Sequence, residues 1–271
     1  MTKLHIRATD TPRLNLAHLW PYRDLIVFLA WRDVSVRYKQ TVLGVAWAIL
    51  QPLAAMAVFS LFFGSLLGVD SGDVPYPLFS YAALLPWQYF STALTAIALS
   101  LVGNQNLVTK VYFPRLIIPL AASLPPVVDV AIAGLLYFGL MAFYGQALTW
   151  SLALLPVFLL LALLTALGFG LWLASLTVQY RDFRYVIPFL LQIWLFASPI
   201  TYASDLVPEA WRPLYALNPM VGVIDGFRWA LLGTAAPDPG PLLVSCVVTG
   251  LVLLGGLYYF RQTERIFADV I

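Results

Sequence analysis

The stretch RDVSVRYKQTVLGVAWAILQP, residues 32–52, sets four charged side chains, Arg32, Asp33, Arg37 and Lys39, directly against a run that holds none. A helix surrounded by water does not carry such a run; a helix crossing a bilayer does, and its flanking charges stay at the bilayer surface. Composition extends this reading to the whole chain, because 61% hydrophobic residues, 10% charged residues and a mean hydropathy of +0.85 lie far outside the usual mix of a soluble domain. The formal net charge of +2 supplies no basic field for nucleic acid. Cys246 is the single cysteine; it lies in an apolar run and reads as a small buried hydrophobe.

A crossing helix needs about 20 apolar residues to span a hydrocarbon core of roughly 30 Å. Charge-free gaps predict six spans, near 47–67, 79–102, 116–143, 152–178, 185–202 and 242–260. Six crossings leave both termini on one side. Thirteen of the fifteen Lys and Arg residues then share that side, carried by the termini and the loops holding Lys110, Arg115, Arg181 and Arg184. The other side keeps Arg212 and Arg228 beside Asp70, Asp73, Asp205, Glu209, Asp225 and Asp238. The positive-inside rule places the basic side in the cytoplasm. No apolar core with a small-residue cleavage site opens the chain, so insertion is expected through the internal spans. The expected fold is an all-α polytopic membrane protein, with a cytosolic N-terminus and interfacial helix over 1–40 and a six-span domain over 41–271.

Three segments exceed what anchoring requires. Residues 24–39 are too charged to span and too apolar to stay in water, so they predict a helix lying in the interface, with Asp33 and Arg37 spaced for an i,i+4 pair. It can touch lipid alone or also grip a cytosolic partner. In NQNLVTKVYFPRL, Asn104 or Asn106 can cap a short helix running to Lys110, with Pro114 ending it; that is either a knob for a partner or an ordinary loop turn. Residues 205–237 are too long for a turn and too apolar for a solvated loop, and are broken by Pro208, Pro213 and Pro219. They predict a re-entrant helical hairpin between spans five and six, its second arm at 219–232 stopped by Gly233, forming an outer gate or an interfacial cap. Asp225 and Arg228, at i and i+3, can pair there. Asp129 falls within the third span and needs a partner, either as a packing hydrogen bond near Pro125 and Pro126 or as a site for a coupling ion.

Catalytic chemistry is missing from the pattern. Lys3, Lys39 and Lys110 complete no phosphate-binding loop, so the chain is not expected to hydrolyse ATP itself. His5 and His18 lack metal-ligand spacing, and no nucleophile elbow is present. Neither catalytic nor metal-ligating residues are assigned. Aromatic residues are abundant, at 15%. Tyr81, Trp87, Tyr89, Phe90, Trp194, Phe196 and Tyr202 lie within or at the ends of two expected spans, where they can form interfacial belts or line a path along which sugar rings slide.

RDVSVRYKQTVLGVAWAILQPL, NQNLVTKVYFPRLIIPL, YRDFRYVIPFLLQIWLFASPITY and LNPMVGVIDGFRWALLG together resemble the membrane subunit of type-2 ABC exporters for polysaccharides, the group serving O-antigen, teichoic acid and capsule export. The resemblance implies a homodimer in the bacterial cytoplasmic membrane, bound to two copies of a separate nucleotide-binding subunit that holds ATP and magnesium. It implies a lipid-linked glycan as substrate, no cofactor in this chain and no nucleic-acid partner. Arg32, Arg37 and Lys39 would belong to an inner gate receiving an anionic headgroup. Lys110, Tyr112, Phe113 and Arg115 would meet the ATPase, and Asp225 and Arg228 would belong to the outer gate. Exporters of drugs or small lipids share the architecture. A secondary transporter would need coupling-ion groups that only Asp129 could begin to supply, and a lipid-modifying enzyme would need absent catalytic clusters.

Overall fold

The computed structural model describes residues 16–39 and 44–267, and what was expected of residues 1–15, 40–43 and 268–271 lies outside them. The described residues are helical, without strands. After a 3-10 turn at Leu16–Tyr22 come α1 (Arg23–Lys39), α2 (Gly44–Phe59) and α3 (Tyr76–Gly103). Then follow α4 (Gln105–Lys110), α5 (Ile117–Ala122), α6 (Pro125–Tyr144), α7 (Leu155–Gln179) and α8 (Phe183–Phe196). Past two short 3-10 turns, α9 (Arg212–Ala216), α10 (Pro219–Leu232) and α11 (Pro239–Thr263) complete the order.

Five helical stretches are long and apolar enough to cross a membrane: Ala46–Leu66, Tyr76–Gly103, Ile117–Tyr144, Trp150–Gln179 and Pro239–Ile266. The chain is a multi-pass integral membrane protein. The fifth expected span, 185–202, instead forms the 14-residue α8, about 21 Å long at 1.5 Å per residue and short of a 30 Å core. Pro199 explains the stop, since it disfavours a helical conformation at Ser198 and has no N–H to donate. The first span changes character on the way, closing as a π-helix over Ser60–Leu66. The third is interrupted at Ser123 and Leu124, ahead of Pro125 and Pro126.

Burial separates the helices into a centre and a periphery. In its most apolar stretch α3 is 67% buried, against 6% for the first span. Around α3 stand α6, α7 and α10, and α11 lies along α7. That last pair approaches closely because small residues meet: a Cβ on Gly256 would sit 2.6 Å from the Gly168 carbonyl. Thr165 and Thr249 hydroxyls then bond at 3.0 Å, Trp172 donates to the Val252 carbonyl at 3.2 Å, and its ring stacks on Tyr259 at 4.8 Å. A second apolar cluster, including Leu29, Phe113, Ile117, Val178, Phe260 and Phe267, ties α1, the α4–α5 segment, α7 and α11 together at the end carrying the basic loops. Cys246 faces outward from α11 instead of being buried.

Local signals set α10 well. Asn218 accepts a hydrogen bond from the Met220 N–H, Pro219 occupies the first turn, and Gly233 ends the helix at φ 65°. The first arm of the expected hairpin is not a half-helix: 3-10 turns at Ser204–Leu206 and Glu209–Trp211 lead into the five-residue α9.

Candidate functional site

At the basic end, α1 packs on α5 and α6. Only Leu29 and Ala30 of this helix are buried, while Val27, Phe28, Trp31 and Val36 are exposed. The three basic residues expected at the inner gate have three different settings. Arg32 donates to Asp33 at 2.9 Å and to the Asn104 side chain at 2.9 Å. Arg37 forms an ion pair with Asp129, and the Tyr38 hydroxyl donates to the other oxygen of the same carboxylate. Lys39 is exposed.

Three expectations are corrected here. Asp33 pairs with Arg32 rather than with Arg37, because α6 offers Arg37 a less exposed carboxylate. Asn104 precedes α4 but makes no side-chain cap; it donates to the Ser100 carbonyl at 2.9 Å and accepts from Arg32. The cap is forgone for a link between α1 and the α3–α4 junction. Asp129 receives its partners from α1 and not from backbone groups around the prolines.

The α4 segment divides the residues expected to meet a partner. Lys110 is exposed and Tyr112 is 80% exposed, so both project. Phe113 is buried in the basic-end cluster, and Arg115 donates to the Glu264 carbonyl. Extended backbone at Val111 ends α4 before Pro114 acts. Lys110 and Tyr112 thus stand out from the segment, while Phe113 and Arg115 hold it to the rest of the chain.

The seven aromatic residues also separate. Tyr81, Tyr89 and Phe90 are fully buried, with Trp87 nearly so. Tyr81 stacks on Tyr137 at 5.7 Å; Trp194 meets Phe90 and Phe169 edge-on at 4.9 and 4.8 Å. These contacts bind α3 to α6, α7 and α8 within one chain, so the four α3 rings act as packing. Phe196 is exposed and Tyr202 half-buried. Phe196 belongs to an exposed stripe on α8 whose other members, Tyr185, Phe189 and Ile193, sequence reasoning passed over. Its spacing of i, i+4, i+8 and i+11 is a signal for one helix face. Ile187 is the only fully buried residue of α8.

At the far end α10 is clasped to the chain that follows α8. Asp225 and Arg228 lie 4.0 Å apart. Ser204 donates to Asp225, with its oxygen 2.6 and 2.8 Å from the two carboxylate oxygens. Arg228 donates to the Tyr202 and Ile200 carbonyls at 3.1 and 3.0 Å, and its guanidinium lies 3.7 Å from the Phe79 ring centre. Asn218 adds a second fastening: it accepts from Trp194 at 2.8 Å and donates to the Ala197 carbonyl and to Ser198, both at 3.0 Å. Sequence reasoning found the Asp225–Arg228 pair but not Ser204 or Asn218, whose partners are remote along the chain.

Residues 24–232 match the ABC-2 type transporter family. The O-antigen export system permease protein RfbA of Myxococcus xanthus is 31% identical over 255 residues, covering 93% of this chain and 97% of that protein. A protein of the same name from Klebsiella pneumoniae is 27% identical, covering 96% and 98%. The polysialic acid transport protein KpsM of Escherichia coli is 26% identical, covering 86% and 91%.

Proposed function

The chain belongs to the ABC-2 type transporter family, and from that premise we propose that it is the permease subunit of an ATP-driven exporter moving a lipid-linked polysaccharide, of O-antigen type, across the bacterial cytoplasmic membrane. The observation that carries the reading is likeness to O-antigen export permeases over nearly the full length of both chains. Likeness to KpsM keeps capsule-type polysaccharide as the alternative cargo.

In this reading the unit is a homodimer. Two helices support it: the first span is only 6% buried, and α8 presents Tyr185, Phe189 and Phe196 outward. A second copy facing these surfaces would cover apolar area and place aromatic rings along the path between protomers, where they meet the C–H faces of sugars. α8 and the turns after it complete a sixth crossing, with α10 re-entrant in the outer leaflet and both termini cytoplasmic. α1 lies in the inner interface as the gate for the headgroup. Lys110 and Tyr112 contact the nucleotide-binding subunit, which supplies ATP and magnesium. Closure of that subunit on ATP displaces α4, and differential binding of ATP supplies the energy.

Deleting the gene should remove the surface polysaccharide while its lipid-linked form accumulates on the cytoplasmic face, and the intact chain should restore export only together with the ATPase. Purified chain that hydrolyses nucleotide without a partner, or carries solute uphill on an ion gradient, would overturn the proposal.

A further inference from the structure

Asp129 is a carboxylate near the start of a membrane helix, with side-chain exposure of 18%. Such a group is costly in a span unless it is partnered. Both partners come from the last turns of α1: the Arg37 guanidinium takes one oxygen and the Tyr38 hydroxyl the other. Further back on α1, Arg32 binds Asn104 at the junction leading into α4. Besides its packing on α5, α1 is thus held by polar side-chain contacts at two points, one beside the segment that carries Lys110 and Tyr112 and one on α6.

The two points differ in where the carboxylate stands: Asp33, paired with Arg32, belongs to α1 itself, whereas Asp129, paired with Arg37, belongs to α6, so only loss of the second pair frees α1 from another helix. Arginine prefers phosphate or carboxylate in bidentate geometry, so a phosphate-bearing lipid headgroup and Asp129 are rival acceptors for one guanidinium. We propose that Asp129 is a latch: it parks Arg37 and Tyr38 until a phosphorylated lipid headgroup replaces the carboxylate on Arg37, and this exchange releases the C-terminal end of α1 from α6. The inference rests on the reading of α1 as the gate for a lipid-linked substrate. Released Asp129 loses its partners and is stable only where water of the headgroup layer reaches it, so exchange and separation of α1 from α6 occur together. The latch admits anionic headgroups selectively, because a neutral lipid has nothing to offer Arg37 in return.

The test uses the full complex with its ATPase in nanodiscs. The probe is a polyprenyl phosphate, compared with the same polyprenol lacking phosphate and with free pyrophosphate. In wild type, the polyprenyl phosphate should stimulate ATP hydrolysis and the polyprenol should not. Asp129→Asn should lower the half-stimulating concentration about tenfold, the factor that corresponds to removing a competitor worth 1.4 kcal/mol. Asp129→Glu should stay within about threefold of wild type, a shift of about 0.65 kcal/mol where tenfold is 1.4. A spin label on Val36→Cys, in a Cys246→Ser background, should gain mobility when polyprenyl phosphate is added and be mobile from the outset in Asp129→Asn. The exchanged pair Arg37→Asp with Asp129→Arg should restore the label immobility that Asp129→Asn loses. Stimulation equal for polyprenol and polyprenyl phosphate would overturn the gate reading itself. A wild-type response to phosphate, with half-stimulating concentration and label mobility unchanged by Asp129→Asn, would overturn the latch alone. Free pyrophosphate stimulating as strongly as the lipid would refute selection of a lipid headgroup.

Discussion

Replacing Arg228 tests the clasp between α10 and the turns after α8. Its guanidinium spans two backbone carbonyls, lies over the Phe79 ring and faces Asp225, and the residue is 5% exposed. Hydrogen bonds from a charged donor contribute about 1.5–3 kcal/mol each, and much of that offsets the loss of hydration. Arg228→Lys keeps the charge, but one ammonium cannot span both carbonyls or lie flat on a ring, so the expected cost is one charged hydrogen bond, about 1.5–3 kcal/mol. Arg228→Ala costs more, about 3–5 kcal/mol, because it leaves Asp225 with Ser204 alone and strips two carbonyls of their donor. Combining Arg228→Ala with Asp225→Asn should recover part of the loss, with a coupling of about 1–3 kcal/mol. Thermal unfolding of the complex in nanodiscs reads the global cost, and limited proteolysis between 204 and 212 reads local release. The reasoning fails if Arg228→Ala unfolds within about 0.5 kcal/mol of wild type, the range of ordinary surface changes, with the connector no more protease-sensitive.

Gly256→Leu should separate α7 from α11, since even a Cβ there meets the Gly168 carbonyl at 2.6 Å; loss of folded, monodisperse protein checks it. Tyr112→Ala should weaken co-purification of the ATPase and leave thermal stability unchanged, whereas Phe113→Ala, in a buried cluster, should cost about 3–5 kcal/mol of stability. Phe90→Ala should likewise lower stability, because Phe90 packs against Trp194 inside the chain. By contrast, Tyr185→Ala with Phe189→Ala should leave the folded protomer intact and reduce export of polysaccharide, measured by surface labelling.

The sequence showed the helices whose ends are written locally. α1 falls at Arg23–Lys39 against an expected 24–39, and α10 at Pro219–Leu232 as expected, because charge, cap, proline and glycine act within a few residues of where they stand. The same locality misplaces the end of α8: residues 197–202 are apolar enough to continue a span, yet Pro199 stops the helix before them. Pairings across the fold were not legible. Arg37 meets Asp129 from 92 residues away, and a nearer carboxylate at Asp33 made the wrong partner look sufficient. Aromatic residues gave a third difficulty, since composition treats a ring at an interface, in a core or along a path alike. Tyr81 and Phe90 proved to be core, while the outward stripe on α8 carried a periodicity that a count of aromatic residues does not detect.

The distribution of burial decides which parts can move. Regions with few buried apolar contacts open first and at least cost. α3, α7, α10 and α11 share the central core, whereas α8 buries Ile187 alone and the first span buries 6% of its central stretch. α8 is not free at both ends, however. Trp194, Ala197 and Ser198 are fastened to Asn218, and Ile200, Tyr202 and Ser204 to Arg228 and Asp225, so its far end moves only with α10. At the basic end α8 meets α7 through the exposed turn at Arg181 and Asp182, which carries no comparable clasp. A helix held at one end and lightly packed along its length pivots about the held end. In the homodimer proposed above, separation of the two protomers along α8 would therefore begin at the basic side, and it would reach the far side only when α10 moves as well.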